Sequence, residues 1–258
     1  MNQPTPLKNG RESAVGWGAP ANKGAPAAWA RDAGLGDHEQ WLAMSRVFMN
    51  WVNGWMAIGL ELSGAVAWLT FSSEAATAFI SRFYLGFVLV ELGVVIALTM
   101  ALPKMKARTA VIMFLGYAAL NGATLSLVLM AYTGASVARV FFITAGAYGA
   151  MAAIGVTTKK DLTSMGSFLM MGVIALFLAM IVNMFVHSGP LDMAISVIGV
   201  LVFAGLTAFD IQRFKRAGYM GFADKEAAGR AAIMGALNLY LDFVNMLLFM
   251  LRLFGDRR

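Results

Sequence analysis

The sequence predicts an all-α integral membrane protein in which seven transmembrane helices form one bundle. Two observations on composition indicate this class. Hydrophobic residues make up 59% of the chain and charged residues 13%, whereas soluble domains contain about 45–50% and about 25%. The apolar residues also fall into seven long runs, each near the roughly 20 residues that a helix needs to cross a bilayer. A third observation, the acidic residues inside these runs, indicates where the functional site lies.

The chain divides into two parts. Residues 1–40 are rich in Pro, Gly, Ala and scattered charge and hold no long apolar run, so they predict a flexible cytoplasmic N-terminal tail. Residues 41–258 form the predicted transmembrane domain. Its junctions are marked by residues that interrupt helices, such as Pro103, Gly134 and the Gly189-Pro190 pair. We place the seven spans at 46–70, 82–102, 109–131, 138–157, 163–187, 191–213 and 231–254.

The basic residues are distributed unevenly between the two ends of the predicted bundle. The net charge of +6 would suggest a nucleic-acid partner in a soluble protein, but here Lys and Arg cluster in alternate loops. The positive-inside rule then places the N-terminus in the cytoplasm and the C-terminus outside. The compact loops and the lack of an organelle signal favour a bacterial inner membrane. The loops assigned to the cytoplasm carry Lys104, Lys106, Arg108, Lys159, Lys160, Arg213, Lys215, Arg216, Lys225 and Arg230.

Composition argues against most enzyme classes. The chain has no Cys and only two His, His38 and His187, which excludes a disulfide framework, a thiolate zinc site and a metal site built on several His. The last span has no Lys for a retinal Schiff base. Paired intramembrane aspartates also occur in aspartyl proteases, but the Gly-x-Gly-Asp context is absent here. We therefore expect neither enzymatic activity nor a resident cofactor.

Four acidic residues lie at least three residues inside the ends of the predicted spans, where an ionisable group needs compensating contacts. Glu61 shares a helical face with Asn50 and Gly54, so it is either a polar packing contact or a functional group. Glu91 lies near the centre of the second span among apolar neighbours, and it either faces an aqueous cavity or has a structural role. The other two are Asp210 and Asp242.

The last two spans are predicted to bring Asp210 and Asp242 together. Asp242 shares one helical face with Asn238 and Asn245, at spacings of four and three residues. Asp210 lies one turn before Arg213, so an ion pair within the helix is an alternative role for it. Two carboxyls in one low-dielectric site titrate as a coupled pair, which provides a pH sensor without histidine. When both are ionised, their oxygens suit Ca²⁺.

Three sequence stretches resemble the Bax-inhibitor family of membrane proteins, also called transmembrane Bax-inhibitor-motif proteins, which includes the bacterial YccA-like proteins. These are the closing LYLDFVNMLLFMLRLFG, the earlier AFDIQRFKR, and TTKKDLTSMGSFLMMGVIALFLAMIVNMF between Thr157 and Phe185. The resemblance covers roughly residues 45–255. It implies that the last helix is central and surrounded by the other six. It also implies a pH-sensitive Ca²⁺ leak in which Asp210 and Asp242 form the pH-sensing latch and Glu91 matches a family Glu.

The sequence departs from the family pattern at two places. Some members have an Arg at the inner end of the second helix that pairs with the first aspartate, and this position is Leu102 here. Lys104, Lys106 and Arg213 are the candidate replacements for that latch cation. The stretch between the two aspartates is also longer, and Ala217–Arg230 predicts either an added helical turn or a mobile cytoplasmic loop.

Two functions follow from these expectations. The first is a pH-sensitive calcium leak channel gated by Asp210 and Asp242, with Glu91, Asn238 and Asn245 as pore or cation-binding residues and Ca²⁺ as the transported ion. The alternative is a membrane interaction protein that modulates a membrane-anchored ATP-dependent protease or a stress response without transport, as YccA-like relatives are thought to do. The tail 1–40 would then be a contact. A monomer in the lipid bilayer is favoured.

Overall fold

The computed structural model describes residues 37–258, with side chains from Leu42 onwards and at Glu39. Within this part of the chain, seven helices are long and apolar enough to cross a membrane, which confirms the predicted fold class. The predicted tail 1–40 lies almost entirely outside the described residues. The α-helices are α1 (Asp37–Phe71), α2 (Glu74–Arg82), α3 (Tyr84–Ala101), α4 (Ala107–Ala131), α5 (Gly134–Thr157), α6 (Thr163–Val186), α7 (Gly189–Met220) and α8 (Lys225–Phe254).

The short helix α2 was not predicted. It lies between the first two spans, and its first turn is capped by the Ser73 hydroxyl, which accepts a hydrogen bond from the backbone N–H of Ala76 at 3.4 Å. A Ser before an acidic residue is a usual start of a helix, and Glu74 follows Ser73 directly. This local signal lies in a loop that the hydropathy pattern leaves unassigned, since α2 is too short to span a bilayer.

The last two spans are longer than predicted. α7 continues to Met220 and α8 begins at Lys225, so only four residues join them. Gly221 turns the chain with a φ of 76°, a left-handed conformation that favours glycine. The Asp224 carboxylate caps α8 by accepting a hydrogen bond from the Ala227 N–H at 2.6 Å. The extra residues between the aspartates therefore extend two helices, as the first of the two predicted alternatives states.

The last helix is the most buried of the seven spans. Within an apolar stretch of 18 residues, 72% of the residues of α8 are buried, compared with 56% for α7. The main packing partners of α8 are α1, α4, α5 and α7, and α7 in turn packs against α1, α5 and α6. The interior of the bundle is thus a pair of helices, α7 and α8, and each of them carries one of the two aspartates.

Glycines allow two of the closest helix crossings. A Cβ atom on Gly122 of α4 would lie 2.5 Å from the backbone oxygen of Ser63 on α1. A Cβ atom on Gly155 of α5 would lie 2.5 Å from the backbone oxygen of Ala208 on α7. Without side chains at these positions the helix backbones come into direct contact, which is a common way of packing helices in membranes.

The two ends of the bundle are tied differently. On the side of the α5–α6 loop, Gln212 of α7 accepts a hydrogen bond from the Leu162 N–H at 2.9 Å and donates one to the Lys160 carbonyl at 2.8 Å. At the opposite side, Arg139 of α5 forms an ion pair with Asp256 at 3.0 Å, just beyond the end of α8. The first contacts fix one end of α7 to the α5–α6 loop, and the ion pair fixes the opposite end of α8 to α5.

Candidate acidic site inside the membrane bundle

A cavity of about 860 Å³ lies in the bundle and brings the predicted site residues together. Its walls are formed by α3 and α4 on one side and by α6 and α7 on the other, while α8 supplies the residues between them. The predicted gate and pore residues all line this single space: Glu91, Asp210, Asn238, Asp242 and Asn245. The topology of the bundle therefore joins residues of three helices into one acidic site.

The two aspartates are buried neighbours. Asp210 is 6% exposed and Asp242 is 4% exposed, and their carboxyls are close enough to interact electrostatically. The Asn238 side chain lies beside the Asp210 carboxyl. In contrast, Oδ2 of Asp242 is buried and has no hydrogen-bond partner among the described residues. A buried oxygen without a partner is costly, so a proton or a cation at this atom would stabilise the site.

One of the three candidate latch cations lies next to Asp210. Nη1 of Arg213 is 3.6 Å from Oδ1 of Asp210, in the i,i+3 arrangement that the spacing allows, and the Arg213 side chain is 33% exposed. Lys104 and Lys106 are exposed, and neither makes an ion pair with either aspartate in the described part of the chain. Leu102, at the position of the family's arginine, is fully buried. The site is thus asymmetric, because Asp210 has a cationic partner and Asp242 has none within the described region.

Glu91 belongs to a hydrogen-bonded network that reaches the last helix, α8. Its Oε1 accepts a hydrogen bond from the Thr124 hydroxyl at 2.6 Å, and its Oε2 lies 3.5 Å from the Asn121 amide nitrogen. The Tyr240 hydroxyl donates to Oδ1 of Asn121 at 2.9 Å and is 2.7 Å from the Ser63 hydroxyl. The network joins α1, α3, α4 and α8, so Glu91 combines a cavity-lining position with a structural contact.

Comparison with known proteins assigns the chain to a family. Residues 45–258 match the family described as "Inhibitor of apoptosis-promoting Bax1". The chain belongs to the Bax inhibitor-1 family. This confirms the resemblance that the aspartate-containing stretches indicate.

Curated relatives in this family match over most of their length. "Inner membrane protein YbhL" of Escherichia coli is 42% identical over 217 residues, which cover 83% of this chain and 93% of that protein. Uncharacterized proteins of Deinococcus radiodurans and Caulobacter vibrioides are 42% and 41% identical, and the matches cover 91% and 90% of those proteins. The corresponding shares of this chain are 82% and 83%. The chain is thus a Bax inhibitor-1 family membrane protein with seven candidate spans in its described part.

Several residues of this Bax inhibitor-1 family site were not predicted from the sequence. Ser63, Asn121, Thr124 and Tyr240 form the network around Glu91. The available signal was a pair of polar residues one turn apart, Asn121 and Thr124, inside an apolar span. Tyr240 lies two positions before Asp242, so it points to nearly the opposite side of α8. The last helix, α8, therefore carries two polar faces, of which only the aspartate face was expected.

Glu61 is not part of the site. The structure places it on the exposed surface of α1, together with Asn50 and Gly54. The shared face was predicted correctly, but a polar packing contact within the chain is not found at this position among the described residues. The acidic cavity therefore involves Glu91, Asp210 and Asp242, and not Glu61.

Replacing Tyr240 with phenylalanine is expected to destabilise the fold by about 1–3 kcal/mol, because buried polar groups of Ser63 and Asn121 would lose a partner. The free energy of unfolding of the purified protein in detergent, measured by SDS titration, tests this. Tyr84→Phe is the matched control, since Tyr84 is about half exposed. Equal stability of the Tyr240 variant and the wild type would mean that the network does not contribute to the stability of the bundle.

Proposed function

We propose that the protein is a pH-sensitive Ca²⁺ leak channel of a bacterial inner membrane, gated by Asp210 and Asp242. The observation that carries the proposal is the convergence of three carboxyl groups, one from each of α3, α7 and α8, on one cavity. Intramembrane acidic residues that face a cavity commonly mark ion pathways. Carboxylate and amide oxygens are the ligands that Ca²⁺ prefers, and Asn238 and Asn245 supply the amides.

The gating step that we propose is a change in the charge of the aspartate pair. With one proton shared by the site, Asp210 keeps its ion pair with Arg213 and the uncharged Asp242 is tolerated in its buried position. When both carboxyls are ionised, their repulsion favours separation of α7 from α8 or neutralisation by a cation. The two carboxyls are then a coupled sensor, and Ca²⁺ passage changes as the pair gains or loses a proton.

The proposed orientation places the N-terminus in the cytoplasm and the C-terminus outside. The loops that carry most of the basic residues, 102–106, 158–162 and 221–224 with their flanking helix ends, then face the cytoplasm, as the positive-inside rule requires. The name of the E. coli relative, an inner membrane protein, supports the proposed location. Because the cavity is built from the helices of a single chain, we propose that a monomer is the functional unit.

Calcium uptake into proteoliposomes tests this function. The purified protein is expected to allow Ca²⁺ entry at a rate that depends on pH between about 5 and 8, the range in which a coupled buried carboxyl pair titrates. Asp242→Asn is expected to remove most of this pH dependence, because Asn cannot change its charge. An absence of flux at every pH would contradict the proposal and favour the alternative, an interaction protein that modulates a membrane-anchored protease.

Asp161 provides the matched control for the same substitution. It lies in the α5–α6 loop outside the spans, and hydrogen bonds from the Thr163 hydroxyl and backbone N–H, with the Arg216 guanidinium, lower its pKa to about 2. Its contacts contribute to stability above its ordinary pKa of 3.8 and are lost as the pH falls through about 2. Asp161 stays ionised across the assay range, so Asp161→Asn is expected to leave the pH profile of Ca²⁺ uptake unchanged.

A further inference from the structure

We infer that the acidic cavity also binds lipophilic organic cations, which enter from the bilayer between α3 and α6. This inference goes beyond the Ca²⁺ leak and shares only the acidic site with it. The expected ligands carry one delocalised or shielded positive charge that is surrounded by apolar groups. Four features of the cavity support the binding of such ligands: its volume, its lining, its charge balance and the packing of the two helices beside it.

The cavity is much larger than a metal site. A bound Ca²⁺ ion needs only oxygens at about 2.3–2.6 Å, whereas the cavity volume of about 860 Å³ lies in the range of about 300–1,000 Å³ that is typical of pockets for drug-sized molecules. Ion coordination by the aspartates would leave most of this space unused. A bulky organic cation can occupy it and still place its charge beside the carboxyls.

The lining matches such a ligand in chemistry. Most of the residues around the cavity are apolar, and aromatic rings from five helices can contact a cation through their faces. These rings belong to Tyr84, Tyr117, Phe177, Phe203, Phe209 and Phe249. An inorganic ion keeps its hydration shell and gains little from such walls. An apolar cation is stabilised by them, and its burial releases water from hydrophobic surface.

The charge balance of the lining favours a cation over an anion of the same shape. Arg213 is the one basic residue among the described residues around the cavity, and it forms an ion pair with Asp210. Glu91 and Asp242 remain as acidic groups without a cationic partner among the described residues. A positively charged ligand can pair with either group when that group is ionised, whereas an anion finds no unpaired basic group among the described lining residues.

The cavity lies beside a gap in the helix packing. α3 packs mainly against α4, and α6 packs mainly against α7, but over the described residues α3 and α6 are not packed along each other. Tyr84 of α3 and Phe177 of α6 border the cavity, and they are 51% and 45% exposed. Molecules dissolved in the hydrocarbon region can therefore reach the acidic groups from the side, a route that a hydrated ion cannot use.

Equilibrium dialysis of tetraphenylphosphonium against the purified full-length protein in detergent micelles tests the inference, with empty micelles as the background. The matched ligand is tetraphenylborate, which has the same shape and the opposite charge. We expect saturable binding of the cation, displacement by Ca²⁺, and no saturable binding of the anion. Glu91→Gln and Asp242→Asn are each expected to weaken cation binding about tenfold or more, a loss of about 1.4 kcal/mol, while Asp161→Asn leaves it unchanged.

Three results would overturn the inference: no saturable binding of the cation, equal binding of the anion, or unchanged affinity in both cavity variants. The comparison of the two ligands on the wild-type protein does not depend on the folding of any variant. The flux assay separates the two proposals. A Ca²⁺ leak without tetraphenylphosphonium binding would contradict this inference alone, and cation binding without a Ca²⁺ leak would contradict the proposed channel alone.

Discussion

The double variant Asp210→Asn with Asp242→Asn is expected to allow Ca²⁺ passage at one rate throughout the range from about pH 5 to 8, at which the coupled pair of the wild type titrates. Each single variant is expected to lose most of the pH dependence, so the two effects should be strongly non-additive. Residues in direct contact typically show coupling energies of about 0.5–3 kcal/mol. The physical reason is that one shared proton needs both carboxyls, and removing either one abolishes the shared site.

A double-mutant cycle on the initial rate of Ca²⁺ uptake measures this coupling. All four proteins are reconstituted in parallel, and the ratio of rates at the two ends of the pH range is compared. Additive effects of the two replacements would show that the aspartates act independently, which contradicts gating by a pair. The two single variants also differ in the ion pair between Arg213 and Asp210 at 3.6 Å. This ion pair is lost in both proteins that carry Asp210→Asn and is kept in the Asp242→Asn variant.

The seven spans and the two aspartates could be predicted from the sequence because both follow from local properties. The length of each apolar run alone defines the spans, and an acidic residue inside such a run is easily recognised because it is rare there. Helix ends were less predictable. α8 begins six residues before the predicted start at position 231, because the polar stretch from Lys225 continues the helix beyond the apolar run. Hydropathy reports where a helix is apolar and does not report where it ends.

The i,i+3 spacing of Asp210 and Arg213 indicated an ion pair within one helix, but whether Glu61 and Glu91 find partners on other helices could not be predicted, because this depends on how each helix is rotated about its own axis. The same polar side chain can face lipid or protein, and the sequence does not distinguish these cases. Glu61 and Glu91 illustrate this difference. Both lie in spans, but Glu61 is exposed on α1, whereas Glu91 lines the cavity and accepts a hydrogen bond from Thr124. The cavity itself is a property of five helices and has no local signature.

Gly122→Ala is expected to destabilise the protein by about 1–3 kcal/mol, the usual cost of overpacking a tight contact. The added Cβ atom would lie 2.5 Å from the backbone oxygen of Ser63 and 2.8 Å from its Cα atom, and backbone atoms cannot move aside as a flexible side chain can. α1 and α4 would have to separate. Ser63 also contacts the Tyr240 hydroxyl, so the shift would disturb the network that connects α4 to α8.

Gly116→Ala on the same helix is the matched control for this substitution. A Cβ atom at Gly116 meets no heavy atom within 4 Å, and alanine has a higher helix propensity than glycine by up to about 1 kcal/mol. The control variant is therefore expected to be as stable as the wild type or slightly more stable when both are unfolded by SDS titration. Because the two substitutions have the same intrinsic effect on the helix, the difference between them measures the packing contact alone. Equal stability of the two variants would mean that α1 and α4 do not depend on their contact at Gly122.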